Sequence, residues 1–150
     1  MPNNVNMKNI FISISCFICF TLILSSCRSQ ETSNEELRDE VIAIHDEVMP
    51  KMGDLKSLRK EILKISEALQ EEDTVANSEK IRELSQLADR MDQAFDGMFV
   101  WMRQYKPSSE EMSDEEYRNY LLDQKDKVKK VNEDIKESMA EARNVLGKKD

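Results

Sequence analysis

From residue 33 onward, apolar residues recur every third or fourth position and charged residues fill the intervals. A first run reads Leu37, Val41, Ile44 with His45, Val48, Met52, Leu55, Leu58, Ile62, Ile65 and Leu69. A second reads Ile81, Leu84, Ala88, Met91, Phe95, Met98, Met102 and Tyr105, and a third Tyr117, Leu121, Val128, Val131, Ile135, Met139, Ala142 and Val145. At about 3.6 residues per turn this spacing lines one face of a helix with apolar side chains, whereas a strand needs a period of two that is nowhere present. The pattern predicts an all-α domain over 33–150, with helices at about 33–70, 75–105 and 113–146.

The boundaries carry their own signals. Ser33 with Glu36, and Ser113 with Glu116, fit the capping box, in which the serine oxygen accepts an otherwise unpaired backbone N–H. Glu71 to Thr74 interrupts the first pattern, which sets a hairpin turn near residues 72–73, and Pro107 stops the second helix. Gly147 suits a helix C-terminus. Short connections force neighbouring helices antiparallel, so the expected architecture is an elongated up-down-up three-helix bundle or coiled coil. Pro50 lies inside the first helix and should kink it. Gly53 and Gly97 also lie inside helices, which suggests close packing or a functional need at those positions.

The first 32 residues break this pattern. Residues 10–24 form an apolar run of 15, preceded by Lys8 and followed by Ser25, Ser26 and Cys27. A positive start, a short apolar core and small residues at its end make a secretory signal rather than a membrane span, which needs about 20 residues. Leu24-Ser25-Ser26-Cys27 resembles the bacterial lipobox, in which the cysteine is acylated and the chain is cut before it. The expected division is a lipoprotein signal peptide at 1–26, a lipidated Cys27 with a linker at 27–32, and the bundle. Cys16 and Cys19 form a CxxC, but it falls in the segment to be discarded, so no redox or zinc role is expected of it. The expected address is the bacterial cell envelope, with a lipid anchor in the outer membrane and the bundle facing the periplasm.

Charge narrows the partners. The chain carries −8, and removal of Lys8 with the signal leaves −9. An acidic protein repels phosphate backbones, so no nucleic acid is expected. Acids and bases alternate along the helices, as on a solvated face.

Candidate chemistry is sparse. One histidine, His45, excludes a multi-histidine site, and no nucleophile triad or glycine-rich phosphate loop is present, so the chain does not read as an enzyme. His45, Met49 and Met52 stand at i, i+4 and i+7 of one helix face. With the hairpin turn near 72–73, His45 falls opposite Val100, with Met98 and Met102 on either side. Thioether sulfur favours Cu(I), imidazole suits copper and iron, and His with Met is the axial pair of many haems. His45, Met49, Met98 and Met102 are therefore a candidate site for copper or b-type haem, the alternative to a protein with no cofactor. Methionines on a helical stripe commonly fill gaps in a core, however, and a lone histidine there is commonly a core or boundary residue.

All six aromatic residues after Cys27 lie between positions 95 and 120. Met98 to Met102 is apolar around the whole helix, more than one seam can bury. The excess is either covered by the third helix or left for a partner, and Trp101 is expected at the margin of the core. Phe99, Trp101, Tyr105 and Tyr120 are the candidate partner surface, at the end of the bundle near the start of the first helix and so near the anchor.

The segment His45 to Gly53, HDEVMPKMG, with the later Phe99-Val100-Trp101-Met102, resembles a group of small lipoproteins from Bacteroidota-type bacteria often labelled "viral A-type inclusion protein". The likeness covers most of the chain after Cys27 and implies envelope location and helical form, without an activity. Members of the group often carry paired methionines before the tryptophan, where this chain has Phe99 and Val100, which weakens a methionine-rich metal site. The function expected from these readings is a non-enzymatic, lipid-anchored envelope protein with a structural or partner-binding role, the partner being another envelope protein.

Overall fold

The computed structural model describes residues 32–148. The expected signal peptide, Cys16, Cys19 and the expected lipidation site, Cys27, lie outside them. Four α-helices follow in order: α1 (Asn34–Val48), α2 (Met52–Asp73), α3 (Ser78–Gln104) and α4 (Asp114–Leu146), with a 3₁₀ turn, Met49–Lys51, between the first two. No strand occurs among the described residues.

Local chemistry explains where each helix starts and stops. Ser33 and Ser113 cap α1 and α4, each accepting from the backbone N–H three residues on, while Glu36 and Glu116 accept from the serine N–H in return. The backbone bond from Ser113, followed by its hydroxyl, holds the Glu116 carboxyl below the ordinary carboxylate range. At the far end of α4, Gly147 adopts φ 64°, a left-handed conformation that costs glycine nothing and closes the last turn onto Arg143 and Asn144. Pro50 has no N–H to continue α1, and the chain tightens into the 3₁₀ turn before α2 resumes. The first predicted helix is therefore two, bent where the proline requires it. Gly53 and Gly97 do not have the close packing expected of them: a Cβ at Gly53 would meet nothing within 4 Å, and one at Gly97 would rest against Val131 at an ordinary 3.7 Å.

From Ser33 on, the chain folds as one compact unit. The bundle runs up-down-up, with α1 and α2 together forming the first leg. Asn34 donates to the Asp114 carbonyl at 2.9 Å, Lys125 pairs with Glu40, and Lys148 meets Glu61 at 2.7 Å, so the first leg lies parallel to α4. α3 runs back antiparallel, with Lys56 over the Phe95 ring at 4.1 Å, Arg59 paired with Asp92, and Arg90 with Glu141 at 2.6 Å. The hairpin turns at residues 74–77, later than the sequence suggested, which moves the partners of α2 several positions along α3.

The main core combines Val41, Val48, Met52, Leu55, Leu58 and Ile62 of the first leg with Leu84, Leu87, Met91, Ala94, Met98 and Trp101 of α3 and Val128, Ile135 and Met139 of α4. A smaller cluster of Leu37, Tyr117 and Leu121 closes the end where α1 and α4 begin, with Tyr105, Met112 and Tyr120 packed against it. Four polar residues also face inward: Ser66, Gln124, Asn132 and Ser138. Asn132, 3% exposed, donates to the Ile44 carbonyl at 2.8 Å and to Glu47 Oε2 at 3.0 Å, tying α4 to α1 just before the kink. A single polar side chain in an apolar seam is a known way to fix register. The hydrogen bond from Lys136, followed by that from Asn132, holds the Glu47 carboxyl below the ordinary carboxylate range.

Candidate functional site

The kink divides the packing of the first leg. α2 lies against α3 and α4, whereas α1 lies against α4 and its Cα trace hardly comes within 8 Å of α3. Helices packed through ordinary core side chains approach to about 8–10 Å between axes, so a wider gap needs larger fillers. Between α1 and α3 those fillers are rings. His45 stands 5.6 Å from Trp101 between centroids, and Trp101 stacks on Tyr105 at 4.9 Å. Tyr105 lies 6.3 Å from Tyr120, and Tyr120 lies 6.2 Å from Tyr117. These five rings make a continuous column from α1 across α3 to α4. Its far end is pinned to the α3–α4 loop, where Tyr117 Oη donates to the Pro107 carbonyl at 2.9 Å and Tyr120 Oη accepts from the Lys106 N–H at 2.6 Å.

The near end of the column is chemically incomplete. His45 Nε2, Trp101 Nε1 and Tyr105 Oη are buried and have no hydrogen-bond partner, as does Arg59 Nε on α2. Buried polar atoms are nearly always paired, so three on consecutive rings set this place apart from the rest of the core. The other imidazole nitrogen, Nδ1, is 2.8 Å from Asp46 Oδ1. A carboxylate only accepts, so Nδ1 donates its hydrogen to Asp46.

Tyr105 supplies a measurable consequence. Burial, reinforced by the neighbouring Tyr117 and Tyr120, pushes its phenol from 10.0 up to about 12. A phenol that ionises near 10 unfolded and near 12 folded favours the folded state at lower pH and loses that contribution as pH rises through this window. Alkaline denaturation should steepen there, and Tyr105→Phe should flatten the curve. An unchanged curve would place the phenol in water.

The sequence-predicted residues divide unevenly. Met98 joins the core, Met49 packs at its edge, and His45 is half-buried, its side chain 17% exposed beside Trp101. Trp101 takes the place opposite His45 that the antiparallel count gave to Val100. It is also 6% exposed, so it belongs to the core rather than to the margin or a surface. Met102, expected beside His45 on the buried stripe, is 38% exposed. The reason lies in the seam, which runs Met91, Ala94, Met98, Trp101, Tyr105. Phe95 and Met102 flank it, with Phe95 and Phe99 paired at 4.9 Å. Of the partner-surface candidates, Phe99, Tyr105 and Tyr120 are half-buried, and Val100 is exposed in place of Trp101. The orphan atoms of Trp101 and Tyr105, and the inward polar Asn132, were not foreseen, because apolar spacing says nothing about a ring's polar edge or a buried amide.

Elsewhere the surface neutralises itself. A groove of about 310 Å³ between α3 and α4 is bordered by ions already paired, Arg90 with Glu141 and Lys130 with Asp134. Among the described residues, no three His, Cys, Asp or Glu side chains converge as metal ligands, and no helix is long and apolar enough to cross a membrane. No family model, curated protein or solved structure matches the chain.

Proposed function

We propose that the protein is a non-enzymatic component of the bacterial cell envelope, anchored through an acylated Cys27, whose bundle has a structural or partner-binding role exercised at its aromatic end. The observation that carries the reading is the uneven distribution of apolar surface. Among the described residues four large hydrophobics are exposed, and Val100, Met102 and Leu122 belong to the aromatic end, while Val75 sits in the distant α2–α3 turn. Phe99, on the same end of α3, is half-buried. Apolar side chains exposed at one end of an otherwise ion-paired surface are candidates for a contact site. The lipobox-like segment and the resemblance of His45–Gly53 to small envelope lipoproteins support the address.

A photo-crosslinking residue placed at Met102 in living cells should trap a discrete envelope protein that the same residue at Val75 does not. Cys27→Ser should abolish fatty-acid labelling and release the protein from the membrane fraction. Identical adducts at Met102 and Val75, or no adduct at either, would count against the contact site. Unlabelled wild-type protein would count against the anchor.

A second reading, a copper or b-type haem protein, is favoured by one observation. Metal-bound histidines characteristically give their other ring N–H to a carboxylate, as His45 does to Asp46. With Met102 exposed, Met49 and Met98 are the thioethers left to join it. Copper retained through purification and lost in His45→Ala, or a Soret band on adding haem, would favour this reading. Protein that takes up neither Cu(I) nor haem would remove it.

A further inference from the structure

Besides its buried seam, α3 carries a second stripe at helical spacing. Phe95, Phe99 and Met102 stand at i, i+4 and i+7, each one residue on from the core positions Ala94, Met98 and Trp101. Two acids precede Phe99 on the same face, Asp92 and Asp96, and two bases follow it, Arg103 and Lys106. With 3.6 residues per turn, all of these lie within about 60° of Phe99 around the helix.

The bundle covers this stripe at one end only. Lys56 and Arg59 of α2 reach Phe95 and Asp92. Past the kink, α1 stands away from α3 and the stripe meets solvent: Phe99 is half-buried and Met102 is 38% exposed. Asp96, Arg103 and Lys106 are exposed, and their side chains have no ionic or hydrogen-bonding partner among the described residues.

The order of the charges selects an occupant. The acids lie seven and three residues before Phe99 and the bases four and seven after it, so the stripe is complementary to its own reverse. Two copies of α3 crossing antiparallel at Phe99 lay ring on ring there. Asp92 and Asp96 of each copy then come within reach of Lys106 and Arg103 of the other. A parallel pair would set acid against acid and base against base. We propose that this stripe is a docking surface for a second copy of the chain, in an antiparallel pair with a two-fold axis at Phe99. The proposal rests on the contact-site reading of the aromatic end and names the partner there. Burial of Phe99 and Met102 supplies the attraction, while the exposed charges set direction and register. From Asp92 to Lys106 the helix advances about 21 Å, a short seam, so the pair is weak and reversible.

Residues 33–150, the unit that folds as a whole, allow the test in solution without an anchor. Sedimentation equilibrium should show monomer and dimer in exchange. Asp96→Lys and Arg103→Glu, both at exposed positions, should each weaken the dimer by about tenfold or more. The two reversals combined in one chain rebuild the contacts with opposite sign and should recover the wild-type association. Mixing the two single variants should recover it as well. A parallel pair, or an interface elsewhere, gives no such recovery. A monomer up to about 1 mM, a dimer indifferent to the single reversals, or a double reversal no better than the singles would overturn the proposal. A monomer whose Met102 crosslinks to a different envelope protein would do so too and leave the contact-site reading standing, whereas adducts between two copies at Met102 would support both.

Discussion

Replacing Trp101 with alanine should lower the free energy of unfolding by about 3–5 kcal/mol, the largest effect expected of any single truncation in the bundle. The side chain is 6% exposed and bridges His45 on α1 to Tyr105 on α3 where the backbones stand apart. Elsewhere a truncated core residue leaves neighbours that can partly collapse into the space. Here the flanking helices are held apart by the bend at Pro50 and by the Asn132 link to Ile44, so little collapse is available. Trp101→Phe keeps a ring in the gap and should cost markedly less. Urea unfolding of the three proteins gives the comparison, and an alanine cost below about 1 kcal/mol would mean that the ring lies at the periphery. Any loss of partner capture by Trp101→Ala would then reflect unfolding, which is why the contact site is better probed at the exposed Met102.

Asn132→Asp is expected to cost about 3 kcal/mol at neutral pH, because it turns a satisfied buried amide into a buried charge facing acceptors. Asn132 gives its hydrogens to the Ile44 carbonyl and to Glu47, and an aspartate can give neither. Lys136, already paired with Glu47, offsets only part of the repulsion. Burial and the nearby Glu47 would raise the new carboxyl's pKa in the folded state. The penalty is therefore absent below the unfolded value of about 3.9, grows as pH rises through it, and levels off above the raised folded pKa. Asn132→Leu, which keeps the volume without a charge, should stay within about 1.5 kcal/mol of wild type across the same range. Equal, pH-independent effects of the two substitutions would show that the amide makes no bond to α1.

What the sequence disclosed followed from what periodicity can encode. The first leg was legible almost residue by residue, because Leu37, Val41, Val48, Met52, Leu55, Leu58 and Ile62 are large and apolar and all are buried. Both serine caps were legible because their chemistry is local. On α3 the reading kept Met98 and Tyr105 but took Phe95 for Ala94 and Met102 for Trp101. A stripe through Phe95 and Met102 and one through Ala94 and Trp101 are equally regular, and the larger Phe95 outweighed the small Ala94, which is buried facing α4. Once the kink is known, the choice is clear: only a seam that places Trp101 inward fills the space α1 vacates. The polar positions Gln124, Asn132 and Ser138 were hidden because apolar spacing marks no polar residue as buried: Asn132 is held by partners on α1, while Gln124 and Ser138 bond within α4.

The central claim is that α1 returns onto the far end of α3, so that His45 meets Trp101. One histidine and one tryptophan make this a single unambiguous measurement. Nuclear Overhauser effects between the His45 imidazole protons and the Trp101 indole are predicted, at a ring separation of 5.6 Å between centroids. An indole whose only ring contacts are to Tyr105 and other residues of α3, with none to His45, would contradict it.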